Sequence, residues 1–336
     1  MRLVFAGSPS AAVPSLTALA ASEHEVVAVV TRDDTPQGRR RVLTATPVAL
    51  EAERLGLPVV KTRRITEEVA ERITALDADL GVVVAFGALL REPVLSAPRL
   101  GWVNLHFSLL PRWRGAAPVQ RALMAGDEST GAVVFQLVPE LDAGDVLGTL
   151  ERPLDGTETA GALLDELAAT GAALLGDVVD RLAAGTTEPL VQVGEVTLAP
   201  KLVLDDGALD LSLPADDVVD RWRGTTPEPG AHLPLGDARL KVLELRAADV
   251  GDAAGDADAE AAAGLAPLAP GRIALRGRRL LVGTGTAPLE LVRVQPPGKK
   301  PMAGADWSRG LPSTDDMLLT TSPTTSTTTT DEEAPA

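Results

Sequence analysis

Short runs of Val, Leu and Ala recur along the first half of the chain, each bounded by polar, Gly or Pro positions. RLVFAG (2–7), EVVAVVT (25–31), LPVV (57–60) and LGVVVAFG (80–87) are almost continuously apolar, the pattern of strands covered on both faces. Residues 11–21, 49–55 and 65–75, lying between them, have helix-forming composition. Strand therefore alternates with helix, which predicts an α/β fold on an open, mostly parallel, Rossmann-like sheet. WVNLHF (102–107), 132–138 and 146–152 add strands, 116–125 adds a helix, and 157–184 adds a long one.

Beyond residue 184 the pattern changes. Residues 186–204 hold Gly, Thr and Pro with little helical period and read as a linker after a first domain over 1–185. A helix near 215–223 precedes short strands at 238–245, 272–275, 279–282 and 289–294, separated by Gly and Pro turns. Such spacing predicts a small OB-like β-barrel over 205–312. Residues 247–270 are rich in Ala, Asp and Gly and read as a solvated insertion. Residues 313–336 form a Thr-rich acidic tail too polar to fold.

Composition narrows the function classes. Cysteine is absent, which removes disulfides, thiolate metal sites and cysteine nucleophiles together. No His or carboxylate cluster has metal-ligand spacing, so no metal is expected. The N-terminus lacks a signal pattern, and no apolar run approaches the roughly 20 residues of a membrane helix, so a cytoplasmic chain is expected. The net charge of -16 argues against general nucleic-acid affinity. That charge is unevenly placed, however, because 249–260 and 314–336 hold five acids each and no Lys or Arg. A local basic face, and an RNA partner, remain open.

Of three histidines, His106 stands out because it lies two residues after Asn104 at the end of a strand. Residues two apart share a strand face, so an amide and an imidazole would sit side by side. Such a pair can stabilise the oxyanion of acyl transfer and move a proton near neutral pH. Equally, Asn104 can cap a strand end while His106 is a satisfied core residue. Asp142 precedes Ala143-Gly144, a turn signal, and is either a third member of the site or an ordinary turn carboxylate. SLLPRWRGAAP (108–118) reads as a fixed loop beside the pair, either reading a flat heterocycle or carrying Arg112 and Arg114 into water. FAGSPS (5–10) is not a dinucleotide fingerprint, and no GxSxG or Walker sequence occurs.

Taken together these segments resemble the methionyl-tRNA formyltransferase family, from about Met1 to Gly310. MRLVFAGSPSAAVPSL looks like its first strand and helix, with Ser8 where Thr is usual. VNLHFSLLPRWRGAAPVQRAL is close to its hallmark. GAVVFQLVPELDAGDVL resembles its D-x-G signature, with Val133 where Ser or Thr is usual. LAPKL, TPEPGA and VQPPGKKPMAGADWSRG resemble its linker and C-terminal domain.

The resemblance implies a formyltransferase fold, a catalytic trio of Asn104, His106 and Asp142, and a folate site at Ser108, Leu109, Leu110 and Pro111. It implies 10-formyltetrahydrofolate as donor, methionyl-initiator tRNA as acceptor, a protonated His106 and a monomeric enzyme. Its flexible basic loop after the second strand corresponds to TRDDTPQGRRRVLTATP (31–47), with Arg39, Arg40 and Arg41 at the tip for tRNA. Asp33 and Arg40 depart from the usual Pro and Gly there. Lys299 and Lys300 would be backbone contacts in the C-terminal domain.

A formyltransferase acting on a sugar nucleotide or glycinamide ribonucleotide would share the trio but not the arginine loop. Hydrolysis of formylfolate, a non-catalytic RNA-binding protein and a nicotinamide dehydrogenase are further alternatives. The missing glycine fingerprint counts against the last.

Overall fold

Alternate residues of a single strand feed two separate cores, and this explains the continuous apolar runs. In a computed structural model describing residues 1–38, 40–248, 268–311 and 318–319, Leu3 and Phe5 of β1 (Arg2–Gly7) pack on one side of the sheet. Val4 and Ala6 pack on the other. The first side is covered by α1 (Val13–Ala20), α2 (Pro47–Arg54) and the long α5 (Ala160–Ala184). The second is covered by α3 (Glu67–Thr74) together with Phe86, Val94 and Trp102.

The chain divides into two units, Met1–Leu202 and Val203–Ala336. In the first, β2 (Glu25–Thr31), β5 (Val59–Lys61), β6 (Leu80–Val84), β7 (Trp102–His106), β9 (Ser129–Gln136) and β10 (Val146–Pro153) join β1. They form a seven-stranded sheet in the order β10-β9-β7-β6-β1-β2-β5. The five strands β5-β2-β1-β6-β7 are parallel, and β9 runs antiparallel to both of its neighbours. Strand order reverses between β1 and β6, and open α/β sheets hold ligands at the carboxyl ends beside such a reversal.

β6 ends three residues earlier than its apolar run. Ala85 and Gly87 take left-handed φ angles of 47° and 79°, which turn the chain out of the sheet. In the turn before α5 the Glu158 carboxylate accepts the Asp155 and Gly156 amides, and the helix begins at Ala160 after an extended Thr159. Gly185, in the left-handed region, ends it. Gly81 lies beneath Trp102, where an added Cβ would meet the indole at 2.1 Å. Gly81→Ala is expected to destabilise the first unit by about 1–3 kcal/mol through overpacking. Urea unfolding of the variant checks this.

The segment 31–47 contains a short hairpin, β3 (Thr35–Gln37) with β4 (Val42–Thr44), where a flexible loop was expected. Gly38 and Arg41 adopt positive φ and make its turn. The segment 186–202 belongs to the first unit, and β11 (Leu198–Ala199) pairs in parallel with β8 (Arg114–Gly115).

In the second unit the path β12-β13-β16-β15-β14, with β17 on β16, makes a six-stranded antiparallel sheet that fits a small barrel. These strands are β12 (His232–Leu235), β13 (Ala238–Ala247), β14 (Ile273–Arg276), β15 (Arg279–Val282), β16 (Leu289–Gln295) and β17 (Met302–Ala303). α6 (Ala215–Gly224) packs Trp222 and α7 (Gly304–Arg309) packs Trp307 into its core. The acidic stretch 249–260 and nearly all of the tail lie outside the described residues.

Candidate active site

β7 is an interior strand, bonded to β6 on one side and β9 on the other. Asn104 and His106 project from the same face, as their spacing predicts. A cavity of about 500 Å³ opens there, at the carboxyl ends of β6 and β7, and Asn104, His106 and Asp142 all line it. Its remaining walls are mainly apolar and come chiefly from two loops, residues 85–90 and 137–141, with Gly115, Ala116 and Pro118 at the start of α4 (Pro118–Met124). The first loop is pinned from β1. Ser8 Oγ donates to the Phe86 carbonyl at 3.1 Å and accepts the Arg32 amide at 3.3 Å, while the Arg32 guanidinium bonds the Gly87 carbonyl.

His106 is buried, with its ring edge-on to Phe135 and the two centroids 6.3 Å apart. Nε2 lies 2.9 Å from the Trp113 carbonyl oxygen. A carbonyl only accepts, so Nε2 carries the proton. Burial holds the imidazole pKa below its ordinary value, against the opposing influence of the Asp142 charge and the Trp113 carbonyl. The resting ring is thus neutral rather than protonated, with Nδ1 as a free base.

The Asp142 carboxylate accepts the Gly115 amide at 2.8 Å and reaches the imidazole through its field, with no hydrogen bond between them. Asp142 and Trp113 have φ of 46° and 64°. A left-handed backbone costs an L-residue about 1–2 kcal/mol, so neighbouring contacts must hold both turns. For Trp113 these include its amide to Thr197 Oγ1 at 2.9 Å and its indole Nε1 to Asp127 at 2.7 Å. The Asn104 amide oxygen is buried without a hydrogen-bond partner beside the cavity. An orphaned acceptor of this kind is expensive unless a ligand fills it.

Ser108, Leu109, Leu110 and Pro111 do not line this cavity. The Ser108 hydroxyl is fully buried and donates to the Arg112 carbonyl at 2.7 Å, closing the turn that leads to Trp113. Leu109 faces a separate cavity of about 400 Å³ with Arg112 and Trp113. The expected heterocycle-reading loop therefore splits in its role: residues 108–111 shape the support of His106, while Gly115, Ala116 and Pro118 line the cavity beside 85–90 and 137–141. Leu89 and Leu141, both exposed, join these walls, and nothing in the sequence set them apart from other apolar loop residues. A larger groove of about 800 Å³ between α3 and residues 89–94 holds no histidine.

Arg40 and Arg41 are exposed at the hairpin tip, and Arg39 lies outside the described residues. Lys299 and Lys300 are exposed after β16 in the second unit. Among the described residues no group of His, Cys, Asp or Glu could hold a metal ion.

Comparison with known proteins defines the class: residues 1–179 match the formyl transferase family and residues 201–312 its C-terminal domain. A methionyl-tRNA formyltransferase from Leifsonia xyli subsp. xyli is 58% identical over 92% of this chain and 97% of its own length. One from Cutibacterium acnes is 47% identical over the same shares of the two chains, 92% and 97%. The chain belongs to the methionyl-tRNA formyltransferase family. Solved structures agree on the fold. An N-formyltransferase from Helicobacter canadensis, in complex with folinic acid and dTDP-3-aminofucose, has a TM-score of 0.62 at 14% identity, over 86% of this chain and 97% of that one. HypX from Aquifex aeolicus scores 0.60 at 16% identity, over 93% and 48%.

Proposed function

We propose that this chain transfers the formyl group of 10-formyltetrahydrofolate to the free amine of methionyl-initiator tRNA. The observation that carries the reading is the meeting of an amide, a neutral imidazole and a carboxylate at one cavity. The donor fits the residues present. A flat heterocycle suits apolar walls such as Phe86, Leu90, Leu95 and Leu137, with loop main-chain groups to read its edges. The orphaned Asn104 acceptor is one group a bound substrate would satisfy.

When bound, the donor supplies a formyl carbonyl carried on nitrogen. His106 Nδ1 takes the proton released as the amine adds, since Nε2–H is held by the Trp113 carbonyl. The Asp142 charge favours the resulting imidazolium, and imidazolium returns the proton to the departing nitrogen. Asn104 donates its NH2 to the oxygen that gains charge and accepts an amine N–H at its free oxygen. No enzyme nucleophile is required.

The enzyme acts as a monomer, with the three cavity groups all within the first unit. With charged tRNA as acceptor, its place of action is the cytoplasm. Among the described residues no helix is long and apolar enough to cross a membrane. Arg39, Arg40 and Arg41 make phosphate and base-edge contacts at the acceptor stem, and Lys299 and Lys300 contact the tRNA backbone. Replacing Arg40 and Arg41 together with alanine is expected to weaken tRNA binding and lower its salt slope by about one per arginine. The donor KM should stay as it is, and equal effects on both substrates would contradict the assignment.

The deciding experiment supplies labelled formyl donor with methionylated initiator tRNA. Label in formylmethionyl-tRNA is the expected outcome. Label released as formate whether or not tRNA is present, or taken up only by a sugar nucleotide or glycinamide ribonucleotide, would overturn the reading.

A further inference from the structure

We infer that residues 190–199 form a strap whose Gln192 is a positioning residue for formyl transfer. The inference rests on the functional reading above and adds to it a residue outside the three at the cavity. In this segment the usual burial order is inverted. Val191 and Val193 are 74% and 87% exposed, whereas the polar Gln192 between them is half-buried. Apolar packing therefore does not hold the segment down.

The Gln192 carboxamide uses its full capacity on two turns. Nε2 donates to the Asp142 carbonyl at 2.9 Å and to the Gly144 carbonyl at 2.8 Å. Oε1 accepts from Arg114 Nε at 3.2 Å and Nη2 at 2.6 Å. One of these turns carries the Asp142 carboxylate. The other carries the Trp113 carbonyl that holds His106 and the Gly115 amide that holds Asp142.

The rest of the strap grips the same loop. Thr197 accepts the Trp113 amide at its hydroxyl and the Arg114 amide at its carbonyl. Ala199 accepts the Ala116 and Ala117 amides, and Leu198 and Ala199 pair with Arg114 and Gly115. Both left-handed residues of the site thus lie in turns tied to this segment. Glutamine suits position 192 because one planar group must donate on one side and accept on the other. A glutamate would keep the arginine but press a carboxylate on two carbonyl oxygens.

The test uses Gln192→Met, near in volume with all four bonds lost, and Gln192→Glu, in the full-length chain. Each is measured for kcat, KM for both substrates and thermal midpoint. We expect both to lower kcat roughly tenfold with little change in either KM, because loss of alignment costs turnover. Arg114→Met is combined with Gln192→Met. The double variant should be no slower than the slower single one, because both act through one link. Unchanged kcat, losses that multiply, or a kcat loss matched by loss of folded protein would overturn the inference. Asp142→Asn is assayed alongside. If that variant is also fully active, the reading of the site itself fails. If it is impaired while Gln192→Met is not, the strap alone fails.

Discussion

Replacing His106 with glutamine is expected to lower kcat by roughly a hundredfold to ten-thousandfold, the range of a lost general base. Donor KM should barely move. Glutamine fills most of the imidazole volume and can present an N–H to the Trp113 carbonyl that now receives Nε2. What it lacks is a lone pair able to accept a full proton at neutral pH. Alanine at 106 would confound this loss with a cavity beside Phe135. Single-turnover kinetics with saturating donor measure the effect, and a rate within threefold of the parent would remove His106 from proton transfer.

The second large effect is expected at Asp142, read from the pH dependence of kcat/KM. In the proposed mechanism the working form of His106 is neutral, so activity should be lost as pH falls through its pKa. Burial puts that pKa, and hence the acid limb, below the ordinary 6.5. The Asp142 charge pulls in the opposite direction. Asp142→Asn removes it and should shift the limb to still lower pH. At neutral pH the same variant should lose roughly tenfold or more in kcat, because the imidazolium formed during transfer has no counter-charge. Asparagine tolerates the left-handed φ of 46° and can still accept the Gly115 amide, so the turn should survive. Movement of the limb to higher pH would contradict the arrangement.

The parts of the first unit legible from sequence are those governed by local rules. Residues 82–84 and 26–30 read as two-sided strands because both faces are covered, and Asn104 and His106 share a face by strand period alone. Strand order was not legible, since pairing β6 with β1 rather than β5 depends on contacts distant in sequence. β12 escaped notice because Pro234 lies within it, and the β3–β4 hairpin because Pro, Gly and Arg mask its pairing. Leu89 and Leu141 looked like ordinary loop positions until the fold placed them at one cavity. Gln192 carried no signal at all. Its neighbours have no period, and its value lies in partners 48 to 78 residues away in the chain.

Asn104 and His106 occupy the middle of a sheet, with Val103 and Leu105 committed to the opposite core. A one-residue slip of β7 would drive the amide and imidazole into hydrocarbon and push two aliphatic side chains into the cavity. Partly assembled molecules therefore should not display a weakened centre; they should display none. In a refolding experiment, turnover regained would count the chains whose β-pairing is complete, so specific activity becomes a census of correctly built molecules.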